Sequence, residues 1–245
     1  MSQGRVIAVG DIHGCAVALS ELLRAIAPSS ADCLVTLGDY IDRGPDSRQV
    51  IDILQRLSHR CWLIPLLGNH DKMLLSVCAG KDYMMSNWMD LGGAATLASF
   101  ECKAAAGIPE PYIAFLQSCR RSYETSHHLF VHANYLSNLP LEEQPLYVLR
   151  WESLKTRCPG PHYSGKTAIV GHTAQKTGEI LDLGHVKCID TWCYGGGWLT
   201  AMDVCSGQVW QINQQGCLRE RQFVKGGAER DWGLEIGDRG VGIGE

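Results

Sequence analysis

RVIAVGDIHG at residues 5–14, DCLVTLGDYIDRG at 32–44 and CWLIPLLGNHD at 61–71 decide how this chain folds. Each begins as a short apolar run and breaks at a glycine, the pattern of a strand buried on both faces. Between the runs lie stretches of helical period, Cys15 to Ala27 and Ser47 to His59. The second carries Val50, Ile51, Ile53, Leu54 and Leu57 on adjoining faces. Strand, helix, strand, helix, strand implies parallel βαβ units.

Two more apolar runs, HHLFV at 127–131 and KTAIV at 166–170, read as further buried strands. The stretch from about 71 to 128 is richer in Ala, Met, Ser and Glu and is broken at Gly92-Gly93 and Pro109 to Pro111. It reads as a helical insertion packed beside the strand ends. After Gly171 come short alternating runs separated by glycine: VKCID at 186–190, WLTAMDV at 198–204 and VWQIN at 209–213. These are expected to form a second, antiparallel sheet. The fold class is then α/β, two sheets flanked by helices. One domain is expected over residues 1–220, followed by a glycine-rich acidic tail over 221–245 with few apolar anchors.

Composition narrows the function classes. Hydrophobic residues make up 45% and charged residues 20%, as in ordinary globular domains. A formal net charge of -4 argues against a dedicated nucleic-acid binder, so an anionic substrate must be attracted locally. The 11 cysteines are scattered, odd in number and without a Cys-x-x-Cys pair. They are expected to be mostly buried, reduced thiols, and with no apolar run of membrane-spanning length the expected location is the cytoplasm.

The chemistry sits where the apolar runs end. Gly10 leads to Asp11 and His13, Gly38 to Asp39, Asp42 and Arg43, and Gly68 to Asn69, His70 and Asp71. The later runs end in His132 and in Gly171-His172. In α/β sheets the carboxyl ends of strands are where sites are built, so these endings should converge on one crevice. Any one of them alone is more often a hydrogen-bonded structural residue. Five endings of the right types overturn that reading. Carboxylate oxygen, imidazole nitrogen and an amide carbonyl together suit divalent ions of intermediate hardness such as Mn²⁺, Fe²⁺ or Zn²⁺. Asp11 and His13 are spaced to face one ion, Asp39 to bridge two, and Asn69, His132 and His172 to complete the second. Two such ions would outweigh the charge of Asp11 and Asp39, attract a phosphate dianion and activate a bridging hydroxide for in-line attack. Arg43 offers a planar fork for two phosphate oxygens.

With GDIHG at 10–14, GDYIDRG at 38–44, GNHD at 68–71, VHA at 131–133, GHT at 171–173 and IDTWCYGG at 189–196, the chain resembles the calcineurin-like metallophosphoesterases. Within them it is similar to the phosphoprotein phosphatase branch and its small bacterial and phage members. The resemblance implies a two-sheet sandwich with a dimetal site, Asp11, His13 and Asp39 on one ion, and Asp39, Asn69, His132 and His172 on the other. Manganese is the first expectation for both, with iron or zinc as alternatives. It further implies His70 as general acid, Asp42 as its orienter, Arg43 as a phosphate clamp, and a second arginine after VHA, for which Arg150 is the candidate and Arg157 its rival.

The expected activity is hydrolysis of a phosphoprotein or phosphopeptide, with Ser/Thr phosphatase first. VHANY in place of HGG and GNHD in place of GNHE are bacterial forms, which leave the substrate range open. The alternatives are a hydrolase of dinucleoside polyphosphates or RNA 5′ ends, and an inactive phosphate-binding module. Asp42 tells mildly against the first, because the symmetrical tetraphosphatases often lack an acid there. No stable nucleic-acid partner, membrane or regulatory subunit is expected. GPHYSGKT at 160–167 matches a P-loop pattern but runs into a strand, not a helix, so it reads as a surface loop bordering the site. No cysteine has an arginine six residues on, which removes a cysteine-based phosphatase.

Overall fold

A computed structural model describes residues 4–81 and 83–219. The acidic tail expected over 221–245 lies outside them. The first half follows the expected alternation: β1 (Val6–Val9), α1 (Ala16–Ile26), β2 (Cys33–Thr36), α2 (Ser47–Leu57) and β3 (Trp62–Pro65). β1, β2 and β3 pair in parallel, with Ile7 opposite Leu34 and Leu34 opposite Leu63. All four residues of β2 are buried, as a strand covered on both faces requires.

Helices then run almost without interruption: α3 (Asn69–Cys78), α4 (Tyr83–Trp88), a kinked turn at Met89–Gly93 with Gly92 at φ 114°, α5 (Ala94–Ser99) and α6 (Glu110–Ser118). The helical stretch ends sooner than the sequence suggests, because β4 (Ser122–Glu124) pairs antiparallel with β5 (His128–Val131). α7 (Leu146–Trp151) precedes β6 (Thr167–Val170), and the last elements of the described residues are β7 (Leu181–Asp182), β8 (Val186–Cys188), β9 (Asp190–Thr191), β10 (Trp198–Asp203) and β11 (Val209–Ile212).

Two sheets result, but their membership corrects the sequence reading. The second sheet is β4-β5-β6-β8-β7, built around the apolar runs at 127–131 and 166–170. β10 and β11, expected in a sheet of their own, extend the first sheet as β11-β10-β1-β2-β3, with β9 also on β10. β10 satisfies the free edge of β1 antiparallel, Ala8 opposite Met202. Five of its six residues are buried, and that edge of β1 is where such a strand finds both backbone partners and cover.

The strands alternate as a sandwich demands. Ile7, Val9, Leu34, Leu199 and Ala201 face the core under the helices, whereas Ala8, Val35 and Met202 face Phe130 and Ile169 of the other sheet. Leu129, Val131 and Val170 point outward from that sheet, under Tyr135 and Leu149. Each large aliphatic or aromatic side chain so buried contributes about 1.5–3 kcal/mol. At the far end from the strand tips, Asp32 ties β1 to β2 by accepting from the Arg5 backbone N–H at 3.0 Å and its Nη2 at 2.7 Å. Among the described residues no helix is long and apolar enough to cross a membrane.

Candidate dimetal site

The tips of β1, β2 and β3 in one sheet and of β5 and β6 in the other meet at one crevice. Backbone bonds stitch the loops there: Ile12 and His13 N–H donate to Asp39 O at 3.1 and 2.7 Å, and Gly14 N–H to Tyr40 O at 3.0 Å. Asp71 acts as the bolt, accepting from the N–H groups of Asp39 (2.8 Å), Tyr40 (3.0 Å) and Gly68 (3.0 Å). Asp71 lies within GNHD, and nothing local in that motif marks it for this part. His13, Asp39, Asp42, Arg43 and His172 all have positive φ, between 46° and 71°. Strained left-handed backbone gathers at functional sites, where the surroundings hold it. Gly68 is required for a different reason: a Cβ there would lie 2.0 Å from Asp39 Oδ1.

Two groups of potential ligands result, His13 with Asp39 and His70, and Asp39 with His132 and His172, each with ligand atoms within 4.8 Å of one another. Asp39 belongs to both. Asn69 Oδ1 stands 2.9 Å from His132 Nε2 and 2.9 Å from His172 Nδ1. Asp11 sits at the edge, its carboxylate accepting from His172 N–H at 3.0 Å. The structure thus brings together Asp11, His13, Asp39, Asn69, His70, His132 and His172, with His70 rather than Asp11 in the first close group.

The donor set fits cations. Burial pushes the His13 ring down to about 3 and His172 down to about 4, and it also lowers His132, so the three rings are neutral near pH 7. Their outer nitrogens donate to backbone carbonyls: His13 Nδ1 to Ile41 O (2.9 Å), His132 Nδ1 to Leu37 O (2.8 Å) and His172 Nε2 to Trp151 O (3.1 Å). The inner nitrogens therefore present lone pairs to the oxygens of Asp39 and Asn69, with no proton between them. Converging lone pairs repel unless a positive ion joins them, and carbonyl-oriented imidazoles are the usual outer support of metal ligands. Charge agrees. Burial, with the charges of Asp190 and Asp39 added, pushes Asp11 well above the usual carboxylate range.

His70 and Asp42 form a separate pair. His70 Nδ1 lies 2.8 Å from Asp42 Oδ2, and both residues are fully buried. With Nδ1 engaged, Nε2 is left on the side of His13 and Asp39, where the ring meets His13 edge-on at 4.7 Å. An imidazole so held by a carboxylate can deliver a proton into the crevice. Asp42 also takes bonds from Trp88 and Thr96, two residues that no motif marks.

Of the arginines, Arg43 reaches His13 Nε2 at 3.4 Å and lies over the Tyr194 ring, 4.4 Å from its centroid. Tyr194 lies inside IDTWCYGG, where nothing local marks this contact. Arg150 has a buried Nε without a hydrogen-bond partner among the described residues, and burial lowers its pKa. A half-buried guanidinium whose Nε is left short of an acceptor suits an anion. Its rival Arg157 is committed, to Glu152 and to Tyr135 O at 3.0 Å. The P-loop look-alike forms a surface loop, exposed at Tyr163, that enters β6 at Thr167 and opens no helix. The thiols correct their expectation: Cys15, Cys33, Cys61, Cys188 and Cys193 are buried, but Cys78, Cys158, Cys205 and Cys217 are exposed and two are intermediate, all free.

Residues 4–176 match the calcineurin-like phosphoesterase family. The chain belongs to that family. A calcineurin-like phosphoesterase is a hydrolase, and the family implies a centre of two metal ions, which the groups around Asp39 could hold. Serine/threonine-protein phosphatase 1 of Salmonella typhimurium is 30% identical over 203 residues, 78% of this chain and 88% of that protein. The symmetrical bis(5′-nucleosyl)-tetraphosphatase of Pectobacterium carotovorum is 44% identical over 73 residues, 29% of this chain and only 25% of that protein. A solved structure provisionally named a diadenosine tetraphosphatase superposes with a TM-score of 0.65 at 25% identity, covering 86% of this chain and 94% of its own.

Proposed function

We propose that this metallophosphoesterase is a protein phosphatase that hydrolyses phosphoserine or phosphothreonine in a protein or peptide. The observation that carries the reading is the buried His70–Asp42 pair at 2.8 Å. A serine or threonine alkoxide is a poor leaving group, and its departure needs a proton delivered as the P–O bond breaks. His70 would deliver it from Nε2 while Asp42 holds Nδ1. Arg43 and Arg150 would bind the non-bridging phosphate oxygens. Asp11, His13 and Asp39 would hold one ion, and Asp39, Asn69, His132 and His172 the other, with Mn²⁺ the best match to this mixed oxygen and nitrogen set. Ions held there would supply an acidified water and neutralise phosphate charge. Similarity over most of the length of the Salmonella phosphatase supports the reading.

A second reading rests on a stretch of 73 residues, 29% of the chain, over which identity to a tetraphosphatase reaches 44%, and on the likeness in fold to the structure named for a diadenosine tetraphosphatase. It takes a phosphoanhydride, whose leaving group needs less protonation. One assay separates the two. Metal-stripped protein reloaded with Mn²⁺, Fe²⁺, Zn²⁺ or Mg²⁺ is tested on phosphoserine, phosphothreonine and phosphotyrosine peptides, diadenosine tetraphosphate and a capped RNA. The highest kcat/KM is expected for a phosphoserine or phosphothreonine peptide with Mn²⁺. A higher value for diadenosine tetraphosphate would replace the first reading with the second.

A further inference from the structure

Asp42 is fully buried, and its carboxylate is held from three directions. His70 Nδ1 approaches Oδ2 at 2.8 Å, Trp88 Nε1–H donates to Oδ1 at 3.0 Å and Oδ2 at 3.1 Å, and the Thr96 hydroxyl donates to Oδ1 at 2.6 Å. Thr96 closes a loop, because its oxygen also accepts the Asp42 backbone N–H at 2.9 Å. Ser47 Oγ supports both, 3.2 Å from the Asp42 N–H and 3.2 Å from Thr96 Oγ1.

Trp88 and Thr96 are themselves fully buried and stand on either side of the kink within Met89–Gly93. This kink is needed where it stands. Gly92, at φ 114°, presents its carbonyl to the Arg43 N–H at 3.3 Å, and a Cβ on Gly92 would sit 2.7 Å from that nitrogen. A single stretch, 88–96, thus contacts two consecutive residues, Asp42 and Arg43, whose φ values of 71° and 69° need external support.

We propose that Trp88 and Thr96 are positioning residues for the reaction: together they orient the Asp42 carboxylate so that Oδ2 faces His70 Nδ1 and the ring stays aligned for proton delivery. The proposal rests on the reading of His70 as the proton donor. A buried carboxylate has about four lone-pair directions. With Trp88 and Thr96 filling those around Oδ1, the one toward His70 is left. Without them Asp42 is free to rotate, and the alignment of His70 is lost although His70 and the metal ligands remain.

The test compares Thr96→Val, Thr96→Ser, Trp88→Phe and His70→Asn, each metal-counted, on a phosphoserine peptide and on p-nitrophenyl phosphate. Thr96→Val and Trp88→Phe should each lose roughly 10- to 100-fold in kcat on the peptide, the size expected for one hydrogen bond to a charged group. The loss on p-nitrophenyl phosphate should be much smaller, with KM and metal content unchanged. Thr96→Ser keeps the hydroxyl and should restore the peptide rate. Thr96→Val added to His70→Asn should cost nothing more, because both act through one proton transfer. Equal losses on both substrates, no loss at all, or an additive loss in the double variant would overturn the proposal. If His70→Asn alone loses equally on both substrates, the proton-donor reading itself falls, and the double variant still decides whether Thr96 acts through His70. Should Trp88→Phe fail to fold, the valine and serine variants carry the comparison, since valine matches threonine in volume.

Discussion

The guanidinium of Arg43 lies over the ring of Tyr194, 4.4 Å from its centroid, and the same ring meets His13 edge-on at 4.9 Å. The stack holds a planar fork beside the ligand groups, in an orientation a lysine does not reproduce. Arg43→Ala should therefore keep its metal and lose roughly 10²- to 10³-fold in kcat/KM, as loss of one stabilising donor to a developing oxyanion does. Arg43→Lys should recover only part of this. Tyr194→Leu should cost less, roughly 3- to 30-fold, the size of a cation–π contact. Elemental analysis alongside kinetics and phosphate inhibition checks the set, and loss of metal in Arg43→Ala would count against a role confined to phosphate.

Arg150 and Arg157 should separate cleanly. Arg150 has a buried Nε unpartnered among the described residues, whereas Arg157 is paired with Glu152, which also accepts from Asn134 Nδ2 at 3.1 Å. Arg150→Ala should raise KM and weaken inhibition by inorganic phosphate with little change in melting temperature. Arg157→Ala should do the reverse, lowering the melting temperature with kcat/KM nearly kept. The opposite pattern would make Arg157 the substrate ligand.

These contrasts mark how far the sequence could be read. β1, β2 and β3 with α1 and α2 were legible, because apolar runs ending in glycine and a helical period between them are local signals. The strand-end residues Asp11, His13, Asp39, Asn69, His132 and His172 were legible for the same reason. Alternation says which face of β10 is buried but not which strand it pairs with, and that is why β10 and β11 were assigned to the wrong sheet. The pairing of Ala8 with Met202 is a long-range event with no local signature. Trp88 and Thr96 were invisible, lying 46 and 54 residues from Asp42 in helices that read only as apolar and small. The thiols misled because free cysteine is usually buried, whereas four here lie in exposed turns or helix ends.

Stability at acid pH should depend on Asp32. The bond from Arg5, followed by those from Ser29 N–H and hydroxyl after the opposing effect of burial, holds its carboxyl below the usual carboxylate range. A depressed carboxylate stabilises the fold at pH values above its unfolded pKa of about 3.9, and that stability is lost as pH falls through the folded value. Asp32→Asn should therefore be less stable than the parent at pH 7, by on the order of 1–2 kcal/mol for a hydrogen bond to a charged group that is partly open to water. The gap should narrow steadily below about pH 4, where the unfolded parent takes up a proton that the folded parent still excludes. Urea midpoints of both proteins between pH 7 and pH 3 measure it, and a gap independent of pH would mean that the ionised form of Asp32 carries no special stability.

Asp39 is the residue on which both ions should depend. Its Oδ2 faces His13 Nε2 at 3.4 Å and its Oδ1 faces His132 Nε2 at 3.6 Å, and it accepts the His70 backbone N–H at 3.0 Å through Oδ1. Asp39→Asn keeps the shape and removes the charge that two cations share, so it should lose both ions and all measurable turnover. His172→Asn touches only the group formed by Asp39, His132 and His172. It should lose one ion and keep the other. Chelation of the parent should lower its melting temperature, because Asp11 and Asp39 are then buried together without a counter-ion, and added Mn²⁺ should restore it. Asp39→Asn should show neither response. Metal counting by elemental analysis on the parent and both variants decides the matter: two tightly held ions in Asp39→Asn would end the bridging assignment.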